Sequence, residues 1–206
     1  MAQVEVEHRG LLTEKKFKEL NKFFNKNGKF LAEKDRFSVI YSPRGKEILR
    51  VVRSPIDLKL RITNKKTEIV LKYGRWSGND ARKEFLFPVD SKKFEEATEF
   101  LQILGYYYGV LQATKTYLYM YKGIEFALVK VPDWGYYFEA EIATEQNRIK
   151  STNKKIMSVC QEFNLSVLND EDFYKLLESL NGRFGFRFNF RKQKFLDVKK
   201  RFIDYF

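Results

Sequence analysis

Apolar and polar side chains alternate along most of this sequence, and that period of two constrains the fold more than any other feature. ILRVVRS (48–54), DLKLRIT (57–63), EIVLKYG (68–74) and RKEFLFPV (82–89) are separated by short turns containing Ser-Pro, Asn-Lys-Lys and Ser-Gly-Asn-Asp. TKTYLYMY (114–121), IEFALVKV (124–131) and YYFEAEIA (136–143) continue the pattern; residues 2–9 and FSVIYS (37–42) read as further strands. Strands joined by short turns pair antiparallel. Helical spacing interrupts them: Phe17, Leu20 and Phe24 share a face over 13–26, with Thr13 as N-cap. SKKFEEATEFLQILGY (91–106) predicts a second helix, capped by Ser91 and ended by Gly105, and two more follow at about 145–163 and 170–180. The expected class is α+β, with the strands forming a barrel or a strongly curved sheet.

Composition narrows the setting. The 206 residues suit one domain with an appendage, and 44% apolar content with 17% aromatic can build a sizeable core. No run is long and apolar enough for a membrane helix, and no apolar leader opens the chain. Cys160 is the single cysteine and His8 the single histidine, which excludes an internal disulfide and a cysteine–histidine metal cluster. A cytoplasmic location is expected. The net charge of +12 attracts polyanions: nucleic acid, an anionic membrane surface or a phosphorylated small molecule.

The alternation also sorts the charges. Glu5, Glu7 and Arg9 share one face of the first strand, and Val4 and Val6 the other. Lys59 and Arg61 oppose Leu58, Leu60 and Ile62; Lys72 shares a face with Glu68 and Val70; Arg82 and Glu84 oppose Phe85 and Phe87; Glu139 and Glu141 oppose Phe138, Ala140 and Ile142. A solvated face explains any one strand. Two Glu-x-Glu strands and several basic ones, closed around an interior, would instead place like charges together. A divalent cation relieves the carboxylates, and an anion relieves the cations; oxygen-only ligation suits Mg²⁺ or Mn²⁺.

The order of these motifs resembles the CYTH superfamily, the triphosphate tunnel metalloenzymes, over roughly 2–180. Glu5-x-Glu7-x-Arg9 is similar to its Glu-x-Glu-x-Lys strand, with arginine for lysine. LRIT (60–63) keeps Arg61 of a Leu-Arg-x-Arg strand, EIVLK (68–72) supplies Lys72, and RKEF (82–85) supplies Arg82 and Glu84. FLQILGYYY (100–108) resembles the join to the second half. Lys115 stands where a Lys-x-Arg begins, with Tyr117 in the arginine's place, and GYYFEAEI (135–142) resembles the closing Glu-x-Glu strand. An aspartate usual upstream of that strand has no counterpart, and Lys130 lies near its place.

The resemblance implies a closed eight-stranded antiparallel β-barrel with helices outside, spanning 1–180, and a separate 181–206 extension. It implies Mg²⁺ or Mn²⁺ held by Glu5, Glu7, Glu139 and Glu141 with Glu84, the catalytic role of Glu5 and Glu7 passing through the metal. It implies triphosphate bound by Arg9, Arg61, Lys72, Arg82 and Lys115. The expected activity is hydrolysis of an inorganic or organic triphosphate. The alternatives are a class IV adenylyl cyclase, supported by LNDEDFYKLL (168–177), and a non-catalytic polyphosphate or nucleic-acid binder. The latter fits poorly with paired glutamates, which repel a phosphate backbone.

Other residues carry structural readings. His8 on the valine face and Cys160 in a helix read as packing, the tyrosines at 106–108 and 117–121 as core and wall, and Trp76 and Trp134 as turn residues. The tail NGRFGFRFNFRKQKFLDVKKRFIDYF (181–206) holds eight basic residues and two acidic ones. Phe184, Phe186, Phe188 and Phe190 alternate as in a strand, and Phe195, Val198, Phe202 and Phe206 recur at helical spacing. Docking of those apolar faces, on the body or on a second subunit of a homodimer, is favoured over contact with nucleic acid or an anionic surface.

Overall fold

The computed structural model describes residues 3–45, 55–74, 83–182 and 186–206. The strand expected at 48–54 lies outside them, as do Trp76, Arg82 and Phe184. The elements run β1 (Gln3–Leu12), α1 (Glu14–Asn27), β2 (Lys29–Tyr41), β3 (Ile56–Thr63), β4 (Lys66–Tyr73) and β5 (Lys83–Val89). Then come α2 (Phe94–Ile103), β6 (Tyr108–Tyr121), β7 (Ile124–Val131), β8 (Gly135–Glu145), α3 (Ile149–Glu162), α4 (Asp170–Gly182), β9 (Arg187–Asn189) and α5 (Phe195–Arg201). The class is α+β, as expected. The sheet has nine strands in the order β1-β8-β7-β6-β2-β3-β4-β5, with β9 on β6. Every strand pairing for which a register is given is antiparallel. The expected closure into a barrel is not made by hydrogen bonds: among the described residues β1 and β5 are the two ends of the order.

Two compact units divide the chain. The first holds the described residues of 1–34 and 114–173, the second those of 35–76, 82–113 and 174–206. In the first, Thr13 caps α1 by accepting from Lys16 N–H at 3.1 Å, and Phe17, Leu20 and Phe24 are buried on one helix face. They meet Val6, Phe126, Leu128, Phe138 and Ala140 from the sheet and Ile156, Val159 and Cys160 from α3. His8, on the same side as Val6, bonds Asn153 of α3 through Nε2. Packing roles for His8 and Cys160 follow directly.

The second unit buries Phe37, Val39, Tyr41, Leu58, Leu60 and Ile62 against Phe94, Ala97 and Leu101 of α2. A short 3₁₀ turn, Ser91–Lys93, precedes α2, and its cap is Asp90, which accepts from Lys92 N–H at 3.0 Å. Ser91, expected as the cap, instead donates its hydroxyl to the Lys65 carbonyl. Tail residues complete this core. Phe188, Phe190, Phe195 and Val198 are buried in it, Phe94 stacks on Phe195 at 5.3 Å, and Phe37 meets Phe202 at 4.6 Å. Lys65 Nζ donates to the Asp204 and Phe206 carbonyls, both at 2.8 Å. Of the expected phenylalanine strand the described residues show Arg187–Asn189, which ends where Arg191 N–H donates back to Asn189 Oδ1 at 3.0 Å.

Docking makes the tail structural. Phe188→Ala should destabilise the protein by about 3–5 kcal/mol, the range for emptying a buried phenylalanine site, read as a lower urea midpoint at unchanged slope. A change within experimental error would show that the tail contributes no core.

Candidate functional site

Register places the charges. β6 and β7 are joined by Lys122 (φ 51°) and Gly123 (φ 69°), a two-residue turn with both positions left-handed, which fixes Tyr121 opposite Ile124. β7 then sets Glu125 opposite Glu141, and β1 sets Glu7 opposite Glu141 and Arg9 opposite Glu139. Directly paired residues share a sheet face. Glu7, Glu141 and Glu125 therefore form a row across three strands, and Arg9 and Glu139 stand in the next row, with Glu5 on the same face of β1. Glu125 is the carboxylate of this face that sequence reasoning missed; a single acid among Ala127, Val129 and Val131 carries no motif, and the hairpin register reveals it.

Arg9 organises this face. Its Nε–H donates to Glu7 Oε1 at 2.7 Å and to Glu139 Oε1 at 3.0 Å, and Nη2 donates to Glu7 Oε2. Burial works against the guanidinium's charge, but Glu139 and Glu7 more than offset it, so its pKa lies above the ordinary arginine value. Glu7 is pushed up to about 7 by burial and Glu139, against the pull of Arg9. Glu141 is also pushed up to about 7, by burial and then by Glu5, Glu125 and Glu139. Among the described residues, Glu5, Glu125 and Glu141 have no ion-pair partner.

Lys115 is not brought to this face. It pairs across β6–β7 with Lys130, and Lys130 with Tyr136, on the side that carries Phe138 and Leu128 into the helix-packed core. Its Nζ sits 2.6 Å from Glu33. Tyr117 shares that side, 6.1 Å from the Phe17 ring. In TKTYLYMY the tyrosines suit either face, so alternation alone could not orient the strand.

In the second unit, Asp57, Lys59 and Arg61 of β3, Glu68 and Lys72 of β4 and Glu84 of β5 share one face by register. Each cation has an acidic neighbour: Lys59 Nζ–Asp57 at 3.0 Å, Arg61 Nε–Glu68 at 2.6 Å and Lys72 Nζ–Glu84 at 3.7 Å. Arg61, Lys72 and Glu84 are thus grouped as the alternation predicts, with Glu84 beside a lysine. Arg82 lies outside the described residues.

The fold occurs in several solved structures. A Vibrio parahaemolyticus protein described as a candidate adenylate cyclase superposes with a TM-score of 0.63 and 17% identity, over 87% of this chain and 99% of its own. A Hippeastrum adenylyl cyclase candidate, described as revealing a dominant triphosphatase activity, gives 0.57 and 14% over 85% and 96%. A chain of the Schizosaccharomyces pombe Mediator head module gives 0.55 and 12% over 80% and 97%. At these identities the likeness is one of fold, and it agrees with the CYTH resemblance carried by the motif order. No protein-family model and no curated protein matches the sequence.

The raised carboxyl pKa values set a pH dependence. Glu7 and Glu141 ordinarily titrate near 4.5, and in the folded protein near 7. Between those values the folded state holds protons that the unfolded state has released, so their contribution to stability falls as pH rises through that window. Urea unfolding without metal should show this loss from about pH 5 to pH 8, and Glu141→Gln should reduce it. An unchanged slope in the variant would remove Glu141 as a cause.

Proposed function

We propose that the protein is a CYTH-type, divalent-metal-dependent phosphohydrolase acting on triphosphates. The observation that carries the reading is the shared face of β1 and β8, where Glu7 opposes Glu141 and Arg9 opposes Glu139. The donor chemistry fits a hard cation: the available groups are carboxylate oxygens, and Glu141 is crowded by Glu5, Glu125 and Glu139 in a way that a dication would relieve. The site is not a finished cage, since among the described residues no three such side chains are gathered closely enough to hold a metal ion. Glu5, Glu7, Glu139 and Glu141 are the ligands of this reading, with Glu125 added from the register. Mg²⁺ or Mn²⁺ bound there would supply charge neutralisation of phosphate oxygens and a water of lowered pKa.

The chain's own groups do the positioning. Arg9 offers a planar fork to phosphate oxygens beside the carboxylates. Phosphoryl transfer asks the protein mainly for such placement and for charge stabilisation. Arg61, Lys72 and Arg82 are phosphate contacts of this reading by the family resemblance alone. Lys115 leaves the set because register puts it on the opposite sheet face, beside Glu33. A small triphosphate is the proposed partner. Among the described residues no helix is long and apolar enough to cross a membrane.

The cyclase reading draws on the Vibrio protein's description, the hydrolase reading on the Hippeastrum one. Incubation with tripolyphosphate, ATP and thiamine triphosphate in Mg²⁺ or Mn²⁺ separates them. Orthophosphate release that stops on chelation supports the hydrolase; cyclic AMP with pyrophosphate supports the cyclase. Tight binding that survives chelation, with no product, makes the protein a binder. Glu141→Gln should lower metal-dependent turnover by about 10²–10³-fold, the usual loss for a transition-state charge contact, while its circular dichroism stays native. Full activity in that variant would sink the assignment.

A further inference from the structure

Arg9 is held from three directions. Its guanidinium bridges Glu7 and Glu139, with Nε 2.7 Å and 3.0 Å from their Oε1 atoms. The same guanidinium lies 4.7 Å from the centre of the Phe173 ring on α4. Its backbone carbonyl accepts from Leu168 N–H at 2.8 Å, which ties the segment leading into α4 to β1. A lysine here would present one compact charge; the guanidinium fork spans two carboxylates while its Cζ lies over an aromatic ring. The single charge of Arg9 thereby partly balances Glu7 and Glu139 in the free protein.

We infer that Arg9 is a resident counter-ion, which must release Glu7 and Glu139 before those carboxylates take a divalent cation, and that Phe173 holds it in place. This rests on the triphosphate-and-metal reading of the same site. Phosphate oxygens are the partner able to draw the guanidinium away, because they accept the same bidentate hydrogen bonds that Glu7 and Glu139 now accept. A divalent cation arriving alone meets a site whose charge is already partly balanced; one arriving with polyphosphate finds Arg9 occupied elsewhere. Phe173 is a positioning residue, acting through Arg9.

Binding of Mn²⁺ alone tests this, read from the loss of the free-ion signal in electron paramagnetic resonance on the full chain without phosphate. Arg9→Gln should bind Mn²⁺ at least about tenfold tighter than wild type, since a unit charge a few ångströms away is removed at an effective dielectric of about 20. Phe173→Leu keeps the apolar bulk but loses the π face, and should tighten Mn²⁺ by about two- to fivefold, the value of one cation–π contact. Tripolyphosphate in chelator, followed by calorimetry, should bind Arg9→Gln more weakly than wild type. A damaged fold does not gain metal affinity, so misfolding cannot mimic the expected result. Equal or weaker Mn²⁺ binding by Arg9→Gln overturns the inference, and leaves the proposed function standing if wild type still hydrolyses triphosphate with Mn²⁺. Absence of Mn²⁺ binding in all three proteins, with and without tripolyphosphate, overturns both.

Discussion

The register between β1 and β8 is the constraint on which the first unit depends. A slip of one residue would turn Glu5, Glu7 and Arg9 into the core that now holds Val6, and turn Val6 toward the charged face. Several separate features oppose that slip. The left-handed turn at Lys122-Gly123 fixes β7, β7 fixes β8, and His8 is bonded to α3 on the core side. Gly10 adds a steric lock, because a Cβ there would lie 2.0 Å from the Ser166 carbonyl oxygen. The charged face is therefore specified by the packing of its reverse side.

That face is held together against its own charge. Glu7 and Glu141 stand opposite each other, and among the described residues Arg9 alone is ion-paired to carboxylates of this face. The strain shows in the carboxyl groups that hold their protons to near neutrality. The second unit has solved the same problem differently, by seating each of Lys59, Arg61 and Lys72 beside its own acid. Those pairs are half-buried, Arg61 and Glu68 at 16% and 27% exposure, so a ligand that displaces one partner must itself pair the other.

Much of this was legible from alternation. The Glu-x-Glu faces of β1 and β8, the capped α1 with Phe17, Leu20 and Phe24 inward, and the phenylalanines of the tail follow from period and residue type alone. The first half of β2 was not legible: KFLAEKDR carries polar groups on both faces, and its residues are exposed or half-buried. Lys115 was misplaced for a related reason, since the neighbouring tyrosines are amphipathic and leave the strand's facing undecided until Lys130 and Tyr136 fix it. Glu125 and the partners of Arg9 depend on which strand lies beside which, a long-range property that no local window contains.

The closeness of Gly10 to Ser166, and of Arg9 to Leu168, ties β1 to residues far along the sequence of its own unit. β1 itself finds its partner β8 only after more than half the chain has been synthesised. The hairpin β3–β4 closes over the two-residue turn Asn64-Lys65 and can form as it emerges, while β1 waits with its valines and glutamates unmatched. Pairings of such separation fold slowly and leave an open strand edge in the meantime. The two glutamates and arginine on β1 are then a guard: a strand charged on one face pairs poorly with stray neighbours until Glu139 and Glu141 arrive to meet it.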